Sequence, residues 1–299
     1  MWRFGLRQAG RLALGLLGAI ILAALVSALS DVGRTQGASA YAGAILAHLM
    51  SMGRFDFGTS SISNAPAWTE LARRLPATLE LLGFGALIAV VIGAPVGLLL
   101  SAGRVLRAGA PLIQIVAAAP VFCAGLGLLW VSERVLHWTG AAPGVSLLAA
   151  LESGNPDMVA AALRVVALPA LTVGAAGAAS IQLALRRAIG RAAGEPYRRG
   201  LQAMGLGRLE IDLVYLFPEV VSGLLQSLGE VASSLLAATA VAEWVFAWPG
   251  AANLFLKSVA LQDWSVVGLV LLVFASLTMA AEFLGVMGAR LLAETERAT

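Results

Sequence analysis

Residues 71–100 read LARRLPATLELLGFGALIAVVIGAPVGLLL. Arg73, Arg74, Pro76 and Glu80 crowd the first ten positions, and from Leu81 to Leu100 there is no charged residue at all. An α-helix needs about 20 consecutive apolar residues to cross the hydrocarbon core of a bilayer. This stretch therefore predicts a membrane-spanning helix over 77–101. The first half of WTELARRLPATLELL, just ahead of it, has the pattern of an amphipathic helix lying at the membrane surface.

Five further runs have the same character, at 9–30, 110–131, 165–187, 218–242 and 264–292. Gly and Ala recur in all of them, which suits close helix–helix approach in lipid. Pro95, Pro120 and Pro169 fall within or at the edges of spans, where neighbouring groups can satisfy the freed carbonyls. The chain is 59% hydrophobic and 12% charged, with a mean hydropathy of +0.87. Soluble domains carry about a quarter charged residues, so a soluble α-protein is excluded. The pI near 9.6 comes from arginines dispersed at the ends of apolar runs. That pattern is a topology signal rather than a nucleic-acid footprint.

With the N-terminus inside, thirteen of the twenty Arg and Lys residues fall on inner segments and seven on outer ones, so both termini are placed in the cytoplasm. The Arg-rich start and the run after it are read as a retained first helix rather than a cleaved signal peptide. The organisation is then an N-terminal helix and outer loop over 1–76, a five-helix core over 77–293, and a cytoplasmic tail over 294–299. Within 31–76, SMGRFDFGTSSISNAP reads as an ordered loop rich in turn residues. Further outer segments are expected at 132–164 and 243–263, the latter holding three tryptophans suited to headgroup depth. Cys123, the single cysteine, is read as a small core hydrophobe.

Enzyme readings find little support. The two histidines, His48 and His137, lie outside the apolar runs, and no GxxxxGK[ST] loop or metal-ligand spacing occurs. The acids near or within spans are Glu80, Glu219, Glu230 and Glu282. A carboxylate inside a membrane is costly and marks a functional candidate. Glu230, part-way along 218–242, is the candidate for lining a polar translocation path, together with Ser233 and Ser234.

One inner segment stands out. Residues 195–218, EPYRRGLQAMGLGRLEIDLVYLFP, concentrate charge, two glycines and two prolines between two spans. Pro196 suits the first turn of a helix, with Glu195 at its positive end. Leu201, Met204, Leu209, Leu213 and Leu216 recur at helical spacing as one apolar stripe, and Gly205 and Gly207 mark a corner. A short helix, a glycine corner and a second helix feeding the membrane make an object shaped for a partner's groove.

The segment resembles the EAA loop of the permease subunits of binding-protein-dependent ATP-binding-cassette (ABC) importers, whose pattern is E-A-A-x-x-x-G with I-x-L-P nine residues on. Gly205 takes the glycine and Pro218 the proline. The E-A-A positions fall on Arg199, Gly200 and Leu201, and the I-x-L positions on Tyr215, Leu216 and Phe217. YRRGLQAMGL is similar to the YVRTARAKGL form of the peptide-importing branch. FDFGTS resembles that branch's GDLGTS, LARRLPATLELL its second span, ALPALTVG its LPALTLG, and EWVFAWPG its ETVFSWPG.

The resemblance, over about 50–290, implies an all-α, six-helix, type I importer permease in the bacterial inner membrane that handles peptides or similar solutes. It implies a second permease subunit, two ATPase subunits that carry ATP and Mg, and an extracytoplasmic solute-binding protein. No cofactor belongs to this chain. Arg198, Arg199, Leu201, Gly205, Leu206, Tyr215 and Pro218 are the implied ATPase-coupling residues, the apolar stripe making the contact and the arginines its rim. The path would be lined by spans two to five. Two rivals remain: a membrane scaffold that moves no solute, and an exporter or channel working alone.

Overall fold

The computed structural model describes residues 2–31, 38–102, 120–136, 147–192, 195–207 and 211–298. Among these, helices supply the regular structure, apart from one isolated bridge between Thr59 and Pro66. In order they are α1 (Trp2–Ser27), α2 (Ala38–Met52), α3 (Ala67–Ala102), α4 (Val121–Val131), α5 (Leu147–Glu152), α6 (Pro156–Ala192), α7 (Glu195–Ala203), α8 (Phe217–Leu225), α9 (Leu228–Val245), α10 (Ala251–Ala260) and α11 (Trp264–Ala298). Five of the described helices (α1, α3, α6, α9 and α11) are long and apolar enough to cross a membrane.

The bundle is organised around α3 and α6, which run parallel. Val173 lies against Gly85, Ala178 against Gly93, and Leu185 against Gly97. A Cβ on Gly93 would sit 2.7 Å from the Ala178 carbonyl oxygen, so the two backbones pack at glycine distance. Helix α9 runs antiparallel to α6, and Leu81, Ala89, Val173, Ile181, Leu235 and Ala242 form the central buried cluster. Helices α1 and α11 pair antiparallel, with Met279 over Gly15 and Gly268 against Ala23 and Ser27. Leu225 of α8 packs on Gly285 of α11. The start of α1 and the end of α11 therefore lie at the end of the bundle that carries α7, here called the loop end. Large apolar side chains such as Leu14, Leu87, Val91 and Leu284 point outward, as a lipid-facing surface requires.

Several expected boundaries change. Helix α2 occupies part of the segment expected as loop, because ASAYAGAILAHLMSM is rich in helix-favouring apolar residues and the turn signals begin only at Gly53. The surface helix expected before 77 is continuous with the span. Ala67 and Leu71 are buried against Leu254, Val266, Leu269 and Val270, and that packing carries α3 through Pro76. Helix α6 begins at Pro156 rather than 165. Pro156 fills the first turn, and the Asn155 side chain accepts the Asp157 N–H at 3.0 Å. The outer segment 243–263 contains α10, and α11 runs on through most of the expected 294–299 tail.

The expected span 218–242 is two helices, α8 and α9, broken at Gln226–Ser227. The expected span 110–131 is described only from residue 120, where Pro120 caps α4. Arg104, Arg107 and His137 lie outside the described residues. Cys123 is exposed on α4, not a core residue; an apolar side chain there can face lipid.

Candidate functional site

Helix α7 ends in a compact cap. The Leu206 N–H reaches the Leu201 carbonyl at 3.4 Å and the Gly205 N–H the Gln202 carbonyl at 3.0 Å. Gly205 sits at φ +84°. That pairing, with a left-handed residue just past the helix, is the Schellman arrangement, in which glycine avoids a Cβ clash. Its usual apolar contact is present too, since Leu206 packs against the cluster that contains Leu201. Gly207 then accepts the Ile211 N–H at 3.0 Å, and a wider helical turn, Ile211–Leu216, leads into α8.

The apolar stripe does not form one outward face. Leu201, Ile211, Leu216 and Val220 are buried with Leu185, Ala188 and Ala192 of α6. Leu201 is thus an anchor holding α7 to the bundle rather than an exposed contact. The left-handed corner at Gly205 is the cause, because it folds the chain back so that Leu201 and Leu216 meet. Met204, at the turn itself, is 76% exposed. The open surface of the turn consists of Arg199, Gly200, Gln202, Ala203, Met204, Gly205 and Gly207, with Leu206 half-buried. Tyr215 is exposed, beside exposed Val214 and Phe217, and Pro218 is half-buried in the first turn of α8. Arg198 lies on α7, but its side chain is outside the described set, as are Arg208 and Leu209 altogether.

Glu230 is in the first turn of α9, just past the break, not mid-span. Its carboxylate pairs with Arg187 of α6 at 2.7 Å, and both side chains are about half exposed (56% and 46%). Ser233 is exposed and donates back to the Gly229 carbonyl at 2.8 Å. Ser234 accepts the Ser180 hydroxyl of α6 at 2.7 Å. Glu230, Ser233 and Ala237 form an exposed stripe of polar and small side chains along α9. Beside it lies a cleft of about 360 Å³ lined by Gln226, Gly229, Glu230, Ser233, Thr278, Met279 and Glu282.

The opposite end carries a set of polar residues of which sequence reasoning singled out only Glu80. Glu243, fully buried at the end of α9, accepts the Thr78 hydroxyl at 2.6 Å and the Asn253 N–H at 2.8 Å, and also bonds the Ala252 N–H. The Thr78 hydroxyl in turn accepts the Ala251 N–H at 2.6 Å. Together the two side chains take up the orphan N–H groups at the start of α10. The Trp248 indole N–H donates to the Ala77 carbonyl at 3.0 Å, and Asn253 Nδ2 donates to the Trp248 carbonyl at 2.9 Å. Asp263, also buried, accepts the Ser60 hydroxyl and, at 3.2 Å, the Ser61 N–H, fastening the FDFGTS loop to the start of α11. Glu80 accepts the Leu147 N–H at 2.6 Å. The readable signal for Glu243 was an acid shortly before a Trp-Pro-Gly turn that opens another helix.

Among the described residues no group of His, Cys, Asp and Glu could hold a metal ion. The arrangement offers a capped helix on a pedestal and a polar helix face, not reacting groups. Comparison with known proteins agrees. Residues 85–293 match the model of the family described as binding-protein-dependent transport system inner membrane component. The chain is 33% identical over 230 residues to the probable D,D-dipeptide transport system permease protein DdpB of Escherichia coli, covering 71% of this chain and 67% of that one. It is 28% identical over 240 residues to the dipeptide transport system permease protein DppB of the same species, covering 73% and 70%. It is 27% identical over 245 residues to the putrescine export system permease protein SapB, again of Escherichia coli, covering 75% and 76%. The chain therefore belongs to the family of binding-protein-dependent transport system inner membrane components, the multi-pass, non-catalytic permease subunits of ABC transporters, in which ATP hydrolysis lies on partner chains.

Proposed function

We propose that this chain forms half of the translocation path of an ATP-driven importer for peptides or similar small solutes. The observation that carries the reading is the α7 turn: a glycine-capped helix on an apolar pedestal, with Arg199, Gly200, Met204 and Gly205 turned outward. Such a preorganised, protruding turn suits a groove on a cytoplasmic ATPase, because docking it orders little further chain. The ATPase subunits supply ATP and Mg. A second permease completes the path, and an extracytoplasmic binding protein delivers solute to the opposite end. Arg198, Arg199, Gly205, Leu206, Tyr215 and Pro218 belong to the docking element, with Leu201 beneath it as anchor. Glu230, Ser233 and Ser234 belong to the path.

The loop end is the cytoplasmic end. Arg186, Arg187, Arg191, Arg198, Arg199 and Arg290 gather there, as the positive-inside tendency requires. Chain direction also supports six spans. Helices α3 and α6 run parallel, so the intervening chain, which includes α4, has to return across the bundle.

The test is co-purification and uptake. A bulky charge in place of Gly205 (Gly205→Arg) should remove the ATPase from the detergent-purified complex and abolish uptake of labelled dialanine into cells. Retention of both would sink the docking assignment. SapB, named as an export system permease, keeps the outward direction alive. Accumulation of dialanine or putrescine inside inverted vesicles on adding ATP would favour export.

A further inference from the structure

The loop end is built as two bodies joined at a break. One body is the inner end of α6 with α7, the Ile211–Leu216 turn and α8, all sharing the buried cluster of Leu185, Leu201, Ile211 and Val220. The other is α9, which starts after Gln226–Ser227 and carries the polar stripe. Because α7 and α8 share that cluster, they are packed as one unit. The break stands between α8 and α9, and helix hydrogen bonding alone does not carry motion across it.

Two polar ties bind α9 to α6. Ser180–Ser234 sits further from the loop end, next to the tight contact of Leu235 on Gly177. Arg187–Glu230 lies at the loop end, at the first turn of α9. It is the one ion pair described between these helices, and its long arginine arm reaches from the α7-bearing body to the helix beyond the break. Both partners are about half exposed. In a membrane subunit a bare charge pair is not turned toward acyl chains, because burial of charge in hydrocarbon costs several kcal/mol. Over its loop-end half the same face carries Ser233 and Ala237, with the large apolar Trp244 exposed near the far end, so the loop-end part of this face is turned to water or to protein.

We infer that Arg187 and Glu230 are positioning residues: their ion pair straps the path-lining helix α9 to the body that carries the docking turn, so that movement of the turn moves α9. This inference rests on the importer reading for its transport consequence but not for its structural one. An ion pair of this exposure is weak by itself. It is suited to the task for that reason, since it can break and re-form between two arrangements without holding either permanently.

Two measurements test it. The first needs neither partner nor solute. Spin labels at Gln202→Cys on α7 and Ala237→Cys on α9, both exposed positions, are placed in a Cys123→Ser background in lipid nanodiscs. The parent should give one narrow distance distribution. Glu230→Gln and Arg187→Gln should each broaden it or add a second distance, and the swap Arg187→Glu with Glu230→Arg should narrow it again. A distribution indifferent to the single changes, or not restored by the swap, overturns the strap.

The second uses the complete transporter in proteoliposomes and counts labelled dialanine carried per ATP hydrolysed. Each single change should lower that ratio about fivefold, the size of shift one ion pair can impose on a two-state equilibrium, with recovery in the swap. An unchanged ratio in the single variants overturns the coupling role. Absence of dialanine transport by the parent would instead count against the peptide reading, and the distance measurement would still decide the strap.

Discussion

Leu201, Met204 and Gly205 lie within one turn and do three different jobs. Leu201 is buried under the turn, Met204 is exposed on it, and Gly205 makes the turn possible. Leu201→Ala should cost about 2–4 kcal/mol locally, the usual loss for a buried leucine. The measurement is hydrogen exchange over 195–207 in nanodiscs, where protection should fall before any ATPase is present. Met204→Ala should leave that protection unchanged and weaken ATPase co-purification instead. Gly205 has open space around a would-be Cβ, so the obstacle to substitution is its φ rather than crowding. Gly205→Ala should therefore cost only about 1 kcal/mol, and Gly205→Asn less, since asparagine tolerates the left-handed region. A β-branched residue there should cost more than either, and equal losses from Asn and Val would refute the conformational account.

The helices at the opposite end are held by side chains rather than by length. Helix α10 starts with no hydroxyl or carboxylate cap of its own; its N-cap is Gly250, and Glu243 and Thr78 supply the acceptors from two other helices. Removing the carboxylate in Glu243→Ala strands the Thr78 hydroxyl and two backbone N–H groups in a dry site, at a cost of about 3 kcal/mol. Glu243→Gln should cost less, because one oxygen remains to accept. Thr78→Val and Glu243→Gln together should lose less than the sum of the two alone, since both break the same network. Thermal unfolding of the four proteins in detergent reads this out, and strict additivity would show that the residues act separately.

That network also marks the boundary of what could be read beforehand. The apolar runs, the helix–corner–helix form of 195–218 and the ordered FDFGTS loop follow from period, charge and turn chemistry, which are local. The burial of Leu201, the break at Gln226–Ser227, and the partners of Glu230 and Glu243 depend on which helices become neighbours. Glu230 looked isolated in sequence because Arg187 lies on another helix. The break carries neither proline nor an unusual backbone, so nothing local announces it.

Taken as a bundle, the chain has two unlike ends, and the difference has a direction. One end holds the arginine-rich turn, the start of α1, the end of α11 and the ion-pair strap between α6 and α9. The other is closed by buried carboxylates that pin short elements: Glu243 on α10, Asp263 on the 53–66 loop and Glu80 on α5. Buried, fully bonded polar groups make a rigid frame, whereas a half-exposed ion pair across a break makes a compliant one. A transporter driven from the cytoplasm needs compliance where force enters and definition where a solute-laden partner is recognised. The assignment of ends is therefore open to direct measurement. In a Cys123→Ser background, a cysteine at Gln202 should react with a membrane-impermeant maleimide only in inverted vesicles, and a cysteine at Gln262 only in intact spheroplasts. Both positions are exposed in the subunit, and the subunit is expressed for this test without its ATPase, so failure to react cannot be put down to burial or to a docked partner. The reverse pattern would turn the subunit over and with it the docking of an ATPase at α7.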